Sequence, residues 1–161
     1  MTTNTKAMKT TTAKKVNRPK LIVGSLETCD LPEIGIQNLQ MRVDTGAKTS
    51  SLHVDNLKKF KKNNATWVAF DIHPDVHNVE DVLHCEAALH DVRNIKSSNG
   101  VSEERYVIKT LLQLSEKHAW PIQITLTNRA DMSNLMLLGR EGMGKRLLVD
   151  PSKTFLFTDS D

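Results

Sequence analysis

Beyond residue 20, apolar and polar positions alternate in short runs that end in turn-forming residues. A period of two marks half-buried strands. "LIVGSLE" (21–27) predicts one strand, and "LPEIGI" (31–36) a turn-rich connector. "LQMRVD" (39–44) and "TSSLHVD" (49–55) predict strands on either side of a sharp turn. "LKKFKKNNA" (57–65) predicts a charged connector holding a helical turn that Asn63 and Asn64 end. "TWVAFDIH" (66–73) is rich in strand formers, and "PDVHNVED" (74–81) is a polar excursion. "VLHCEAALHDV" (82–92) predicts a strand with Leu83, Cys85, Ala87 and Leu89 on one face. "SSNG" (97–100) contains Asn-Gly, a hairpin signal. "ERYVIKTLLQL" (104–114) and "WPIQITLTNR" (120–129) predict longer strands. "LMLLG" (135–139) is an apolar run ending in Gly, and "REGMGKR" (140–146) fits one or two helical turns. "LLVD" (147–150) and "TFLF" (154–157) predict closing strands. Many short strands with little helix imply an all-β closed or sandwich-like domain.

A chain of 161 residues suffices for one domain with a real core. The formal charge of +3 hides an asymmetry. Residues 1–20 hold Lys6, Lys9, Lys14, Lys15, Arg18 and Lys20 and no acid, so the 16 basic and 19 acidic residues of 21–161 leave a body of −3. This predicts a disordered basic arm over 1–20 followed by a β domain over 21–161. The arm has no apolar core of a secretory signal, so a cytoplasmic setting is expected. No apolar run approaches the ~18 residues of a membrane span, so no membrane partner is expected. No aromatic residues are interleaved with the arm's cations, so no nucleic-acid partner is expected either. Cys29 and Cys85 match no paired-cysteine motif and read as plain thiols.

The chemistry-bearing stretch is "MRVDTGAKTSSLHV" (41–54). Asp44 follows an apolar run at once, where a carboxylate is costly unless it is hydrogen-bonded or used. Gly46 permits a tight turn. The plainer reading of Asp44-Thr45-Gly46-Ala47 is a turn that the aspartate caps on its own backbone. The functional reading is the catalytic loop of an aspartic peptidase. There two carboxyl groups share one proton across a water, one as base and the other as acid.

The order of the segments favours the second reading. "LMLLGRE" (135–141) is an apolar strand ending in Gly-Arg before a short helical stretch. With "VDTGAKTSSLHV" (43–54), "IHPD" (72–75), "RYVIKT" (105–110), "WPIQITLTNRADM" (120–132), "MLLGREGM" (136–143) and "VDPSKTFL" (149–156), it makes the chain resemble a bacterial retropepsin-like family. That family is often labelled an ATP-dependent zinc protease and is associated with glutamate ligases of the RimK type. The resemblance spans nearly everything after the arm. It implies a mostly-β, retropepsin-like acid protease barrel with one short helix after the "LLGR" strand.

The resemblance also implies an aspartic endopeptidase acting on a peptide or protein substrate. One Asp-Thr-Gly supplies one carboxylate, so a homodimer would complete the site. Asp44 would be catalytic and Thr45 would brace the paired loops. Gly46 would allow the turn, and Ala47 would keep the cleft floor small. Leu138 and Gly139 would support the Asp loop, and Arg140 would lock the helical turn to the opposite loop or the dimer contact. Ser97, Ser98, Asn99 and Gly100 stand where such a chain places its flap, though they equally suit an ordinary surface hairpin. A functional link to a glutamate ligase follows from the family's association.

The label's two cofactors fare poorly on the residues, and none is expected. A phosphate-binding loop needs Gly-x4-Gly-Lys-Ser/Thr. "GAKT" (46–49) lacks the Gly before Lys, and "GMGKR" (142–146) puts Arg146 where Ser or Thr belongs. For zinc there is no HExxH. His73, His77, His84, Cys85 and His90 form the best cluster, but adjacent His84 and Cys85 face opposite sides of a strand. His53 reads as a strand-face residue. No GxSxG elbow surrounds Ser50, Ser51 or Ser97. Two rivals stay open: a non-catalytic peptide-binding module of the same fold, and the zinc-dependent hydrolase that the label states.

Overall fold

The computed structural model describes residues 19–74, 80–96, 100–128 and 134–160. Eleven strands run in chain order: β1 (Leu21–Val23), β2 (Leu26–Leu31), β3 (Ile36–Val43), β4 (Ser50–His53), β5 (Asp55–Lys62), β6 (Ala65–Ile72), β7 (Leu83–Lys96), β8 (Ser102–Ser115), β9 (His118–Thr127), β10 (Met136–Leu138) and β11 (Leu147–Val149). A single helical turn, α1 (Arg140–Met143), joins β10 to β11. Nine strands form one sheet in the order β2-β3-β10-β4-β9-β8-β7-β6-β5. A further contact, Asp30 on β2 opposite Gln113 on β8, closes β2, β3, β10, β4, β9 and β8 into a six-stranded barrel. The fold is a mostly-β, retropepsin-like barrel, with β7, β6 and β5 continuing outward from β8 and with β1 and β11 paired in parallel beside it.

The barrel interior follows from strand alternation. Leu39, Met41 and Val43 of β3, Leu52 of β4, Ile108 and Leu112 of β8, Ile124 and Leu126 of β9, and Met136 and Leu138 of β10 are all buried in one core. One feature of the order decides where the chemistry sits. β3 and β4 are consecutive, yet they do not pair; β10 enters between them from the far end of the chain. Met136, Leu137 and Leu138 run parallel to Met41, Arg42 and Val43, while Met136 and Leu137 run antiparallel to Leu52 and Ser51. The loop joining β3 to β4 must therefore arch around the end of β10.

Three expectations need correction. Residues 57–65 do not form a helical connector: 55–62 are β5, paired with β6, and Asn63 and Asn64 both adopt positive φ in the hairpin turn. That turn suits asparagine and matches the twist of the flanking strands. The lysine-rich outward positions that read as a connector protect a sheet edge. Residues 21–27 are two strands rather than one, broken at Gly24. A Cβ on Gly24 would stand 2.5 Å from the carbonyl oxygen of Lys153, so the C-terminal segment crosses there. "TFLF" is not a strand. Phe155 adopts φ +53 and its N–H donates to the Leu26 carbonyl at 2.7 Å, bending the chain against β2.

The basic arm over 1–18, the flap positions Ser97, Ser98 and Asn99, and His77 lie outside the described residues. Among the described residues no helix is long and apolar enough to cross a membrane.

Candidate active site

Asp44 stands at the end of β3, half-buried, with Thr45 and Gly46 exposed beyond it. Its backbone N–H donates to the Leu138 carbonyl at 3.0 Å, extending the β3–β10 ladder by one step. The Gly46 N–H donates to Asp44 Oδ1 at 2.9 Å, and the Ala47 N–H donates to the Asp44 carbonyl at 3.2 Å. This is an aspartate-capped turn, and it fixes the carboxyl through one oxygen.

The loop is gripped from behind by β10 and α1. The Arg140 N–H donates to the Ala47 carbonyl at 2.8 Å, and the Glu141 N–H donates to the Lys48 carbonyl at 3.0 Å. Arg140 Nη1 donates to the Thr45 carbonyl at 3.0 Å, tying α1 to the Asp loop of its own chain. Gly139 makes this grip possible. A Cβ there would lie 2.4 Å from the Thr49 carbonyl oxygen, a distance that no side chain tolerates. Gly142 is similarly crowded by Leu138 and by Ser50 Oγ. Leu138 itself is fully buried under the loop.

Ser50 was legible only as a nucleophile lacking its motif. In the structure it is a clamp: buried on the inner face of β4, its Oγ accepts the Gly139 N–H at 3.0 Å. The signal was a polar residue at an inward position of an alternating run. Trp120 is another support. Its indole N–H donates to the Gly142 carbonyl at 2.8 Å, and the Arg146 guanidinium lies 5.1 Å from its ring centre.

The remaining candidates are dispersed. β7 and β8 pair from Leu89 opposite Ile108 to Lys96 opposite Ser102, and Gly100 adopts φ +86 at their tip. The histidines do not converge with Cys85. His73 Nε2 lies 3.2 Å from Asp55 Oδ2, His84 pairs with Asp71, and His90 faces Gln123 at 3.3 Å. Among the described residues no three His, Cys, Asp or Glu side chains gather as a metal would need, so the residues present do not fit zinc. Burial pushes the Cys85 thiol up to about 11 and that of Cys29 up to about 12, which leaves both as thiols without nucleophilic character.

A small closed barrel in which a late apolar-Gly strand and a helical turn clasp one Asp-Thr-Gly loop is the architecture of a single-lobed, retropepsin-like protein. A sequence model of the RimB-like family, described as retropepsin-like aspartic endopeptidase RimB, matches residues 22–160, and the chain belongs to that family. It is 48% identical over 136 residues to a protein of Shewanella halifaxensis named probable alpha-L-glutamate ligase, a match covering 84% of this chain and 30% of that protein. A similarly named protein of Desulfotalea psychrophila is 47% identical over 133 residues, covering 83% and 28%. The chain thus spans under a third of these curated relatives. A crystal structure of a Legionella pneumophila protein of unknown function superposes with a TM-score of 0.69 at 25% identity, covering 86% of this chain and 98% of that one.

Proposed function

We propose that the protein is an aspartic endopeptidase whose active site is completed by a second copy of the same chain. The observation that carries this reading is the state of Asp44. Its loop is fixed at every backbone step, yet only one carboxyl oxygen, Oδ1, receives a hydrogen bond within the chain. A turn residue needs no such bracing from β10 and α1, whereas a catalytic carboxylate must be held in place.

The chain has one Asp-Thr-Gly, and peptide hydrolysis by this chemistry needs two carboxyl groups. The exposed Thr45–Gly46 edge of the loop is the surface on which a two-fold mate would meet it. In the dimer, the ionised carboxylate of one Asp44 takes a proton from water. The water oxygen bonds to the peptide carbonyl carbon as the other Asp44 gives its proton to the carbonyl oxygen. Collapse of the tetrahedral intermediate breaks the C–N bond, and the nitrogen leaves protonated. Gly46 shapes the turn, Ala47 floors the cleft, and Arg140 and Gly139 hold the loop from behind. The β7–β8 hairpin exposes Val92, Ile95 and Val101, apolar surface suited to closing over a bound peptide as a flap. The curated relatives hold the matched region within proteins named as ligases, and we take this as support for a functional link to a glutamate ligase.

A mixing experiment tests the shared site. Excess Asp44→Asn chain, added to wild type and allowed to exchange subunits, poisons activity through mixed dimers. Activity unchanged by the excess, in chains shown to exchange, contradicts the reading.

A further inference from the structure

Strand register lays one continuous row of side chains across the outer face of the barrel. Arg42 on β3 stands beside Leu137 on β10, and Leu137 beside Ser51 on β4. Ser51 stands beside Thr125 on β9, Thr125 beside Val107 on β8, and Val107 beside Asp91 on β7. Alternation carries Asp44, two residues past Arg42, to the same face. Two residues along from Thr125 and Val107, also on this face, lie Thr127 and Arg105.

These last two residues break a rule of folded proteins. Thr127 Oγ1 and Arg105 Nε are buried and have no hydrogen-bond partner. Thr127 is 6% exposed, and the Arg105 side chain is 17% exposed. Arg105 does touch one acid, Glu103, but through Nη2 at 3.5 Å, which leaves Nε unused. Buried donors without partners cost stability, and each calls for a partner that arrives from elsewhere. Arg105 Nε–H can only donate, and the Thr127 hydroxyl is free to do so. The group that satisfies both is an anionic acceptor with two oxygens, a carboxylate.

Arg42 supplies a second cation on the face. It is exposed, and its guanidinium has no hydrogen-bond or ion partner among the described residues. Four strand spacings separate β3 from β8 around the barrel, on the order of 19 Å along the sheet. That is the reach of about six extended residues, so the two sites read different side chains of one peptide. No aromatic residue stands in the row, which removes the stacking surface that a single-stranded nucleic acid would use.

We propose that this face selects peptides bearing carboxylate side chains, with Arg105 and Thr127 holding one carboxylate in a buried subsite and Arg42 reading another near Asp44. The proposal deepens the endopeptidase reading and rests on it for the direction in which the peptide is used. Binding is measured separately from cleavage, on the full-length Asp44→Asn chain, by fluorescence anisotropy with a labelled Ala/Glu dodecapeptide and its Ala/Gln counterpart. The Glu peptide binds about tenfold tighter or more. Thr127→Val removes most of that preference while leaving the thermal midpoint unchanged or raised, because it deletes an unsatisfied buried hydroxyl. Arg105→Gln has the same effect on preference, and Arg42→Gln lowers affinity for the Glu peptide with a shallower salt dependence. Equal binding of the two peptides overturns the proposal. So does tighter binding of a single-stranded oligonucleotide of equal charge, or a Thr127→Val chain that loses stability and keeps its preference. Selective binding of the Glu peptide with no cleavage by wild type sustains the subsite and removes the endopeptidase reading alone.

Discussion

Glu27 on β2 and Asp44 after the adjacent strand β3 are carboxylates in opposite surroundings. Glu27 is fully buried, and both of its oxygens are saturated. Oε2 accepts the N–H groups of Gly24 at 2.7 Å and Phe157 at 3.0 Å; Oε1 accepts the N–H and hydroxyl of Thr158 at 2.8 and 2.7 Å. Burial alone would raise its pKa, but these four donors outweigh burial and hold the carboxyl below its ordinary value. Glu27 is a staple that fastens the C-terminal segment to the barrel. Asp44 receives one donor on one oxygen and stands at a half-buried edge. A carboxylate that the fold consumes is surrounded by donors from its own chain. One reserved for chemistry is held by its backbone and left open at its tip.

The contrast can be broken on the backbone first. Gly139→Ala is expected to have the largest effect, because its Cβ would lie 2.4 Å from the Thr49 carbonyl oxygen and 2.8 Å from the Thr49 nitrogen. Moving β10 away from the loop costs about 4 kcal/mol or more, and the expected outcome is loss of folded protein, seen by circular dichroism and expression yield.

Next comes Glu27→Gln. The amide places two N–H donors where two donors already point, so two bonds become repulsive contacts, costing about 3 kcal/mol in urea titration. The wild-type staple also gives a pH dependence. The folded pKa lies below the ordinary value of 4.5, so the stabilisation is complete above that value and disappears as pH falls through the folded pKa. Urea midpoints measured from pH 6 down to pH 3 should fall for wild type and fall less for Glu27→Gln.

Arg140→Gln follows. It removes the Nη1 bond to the Thr45 carbonyl, and the expected stability loss is about 1 kcal/mol. Cleavage should fall further than stability does, because the bond positions the loop that carries Asp44. Equal proportional losses in both would make Arg140 a purely structural contact.

Much of this was legible in the sequence, for physical reasons that vary by region. Alternation exposed β4, β6, β8 and β9 because each buries one face against the core and leaves the other polar. β5 was missed because its inward positions are shared among Leu57, Phe60 and long lysine stems, which hides the period behind charge. Phe155 gave no hint of positive φ, since an aromatic residue is rarely found there and tertiary hydrogen bonds impose it. The Asp-Thr-Gly loop was visible as residues, and its order relative to "LLGR" was visible too. The threading of β10 between β3 and β4 was not, because register between distant segments is set by packing rather than by local pattern. For the same reason Ser50, Arg105 and Thr127 gained meaning only once their strands were paired.

Asp44→Asn is expected to have the smallest effect on stability, within about 0.5 kcal/mol of wild type. The amide oxygen still accepts the Gly46 N–H and the loop keeps every backbone bond. The central claim is that this open carboxylate is chemical rather than structural, and that difference is read most directly by proteolysis of a diverse peptide library across pH. Wild type and Asp44→Asn are compared, with molecular mass recorded in parallel. The account predicts cleavage by a wild-type dimer, with a bell-shaped profile weighted to the acid side, and none by an equally folded Asp44→Asn chain. Undiminished cleavage by Asp44→Asn, or full activity from a strictly monomeric wild type, would contradict it.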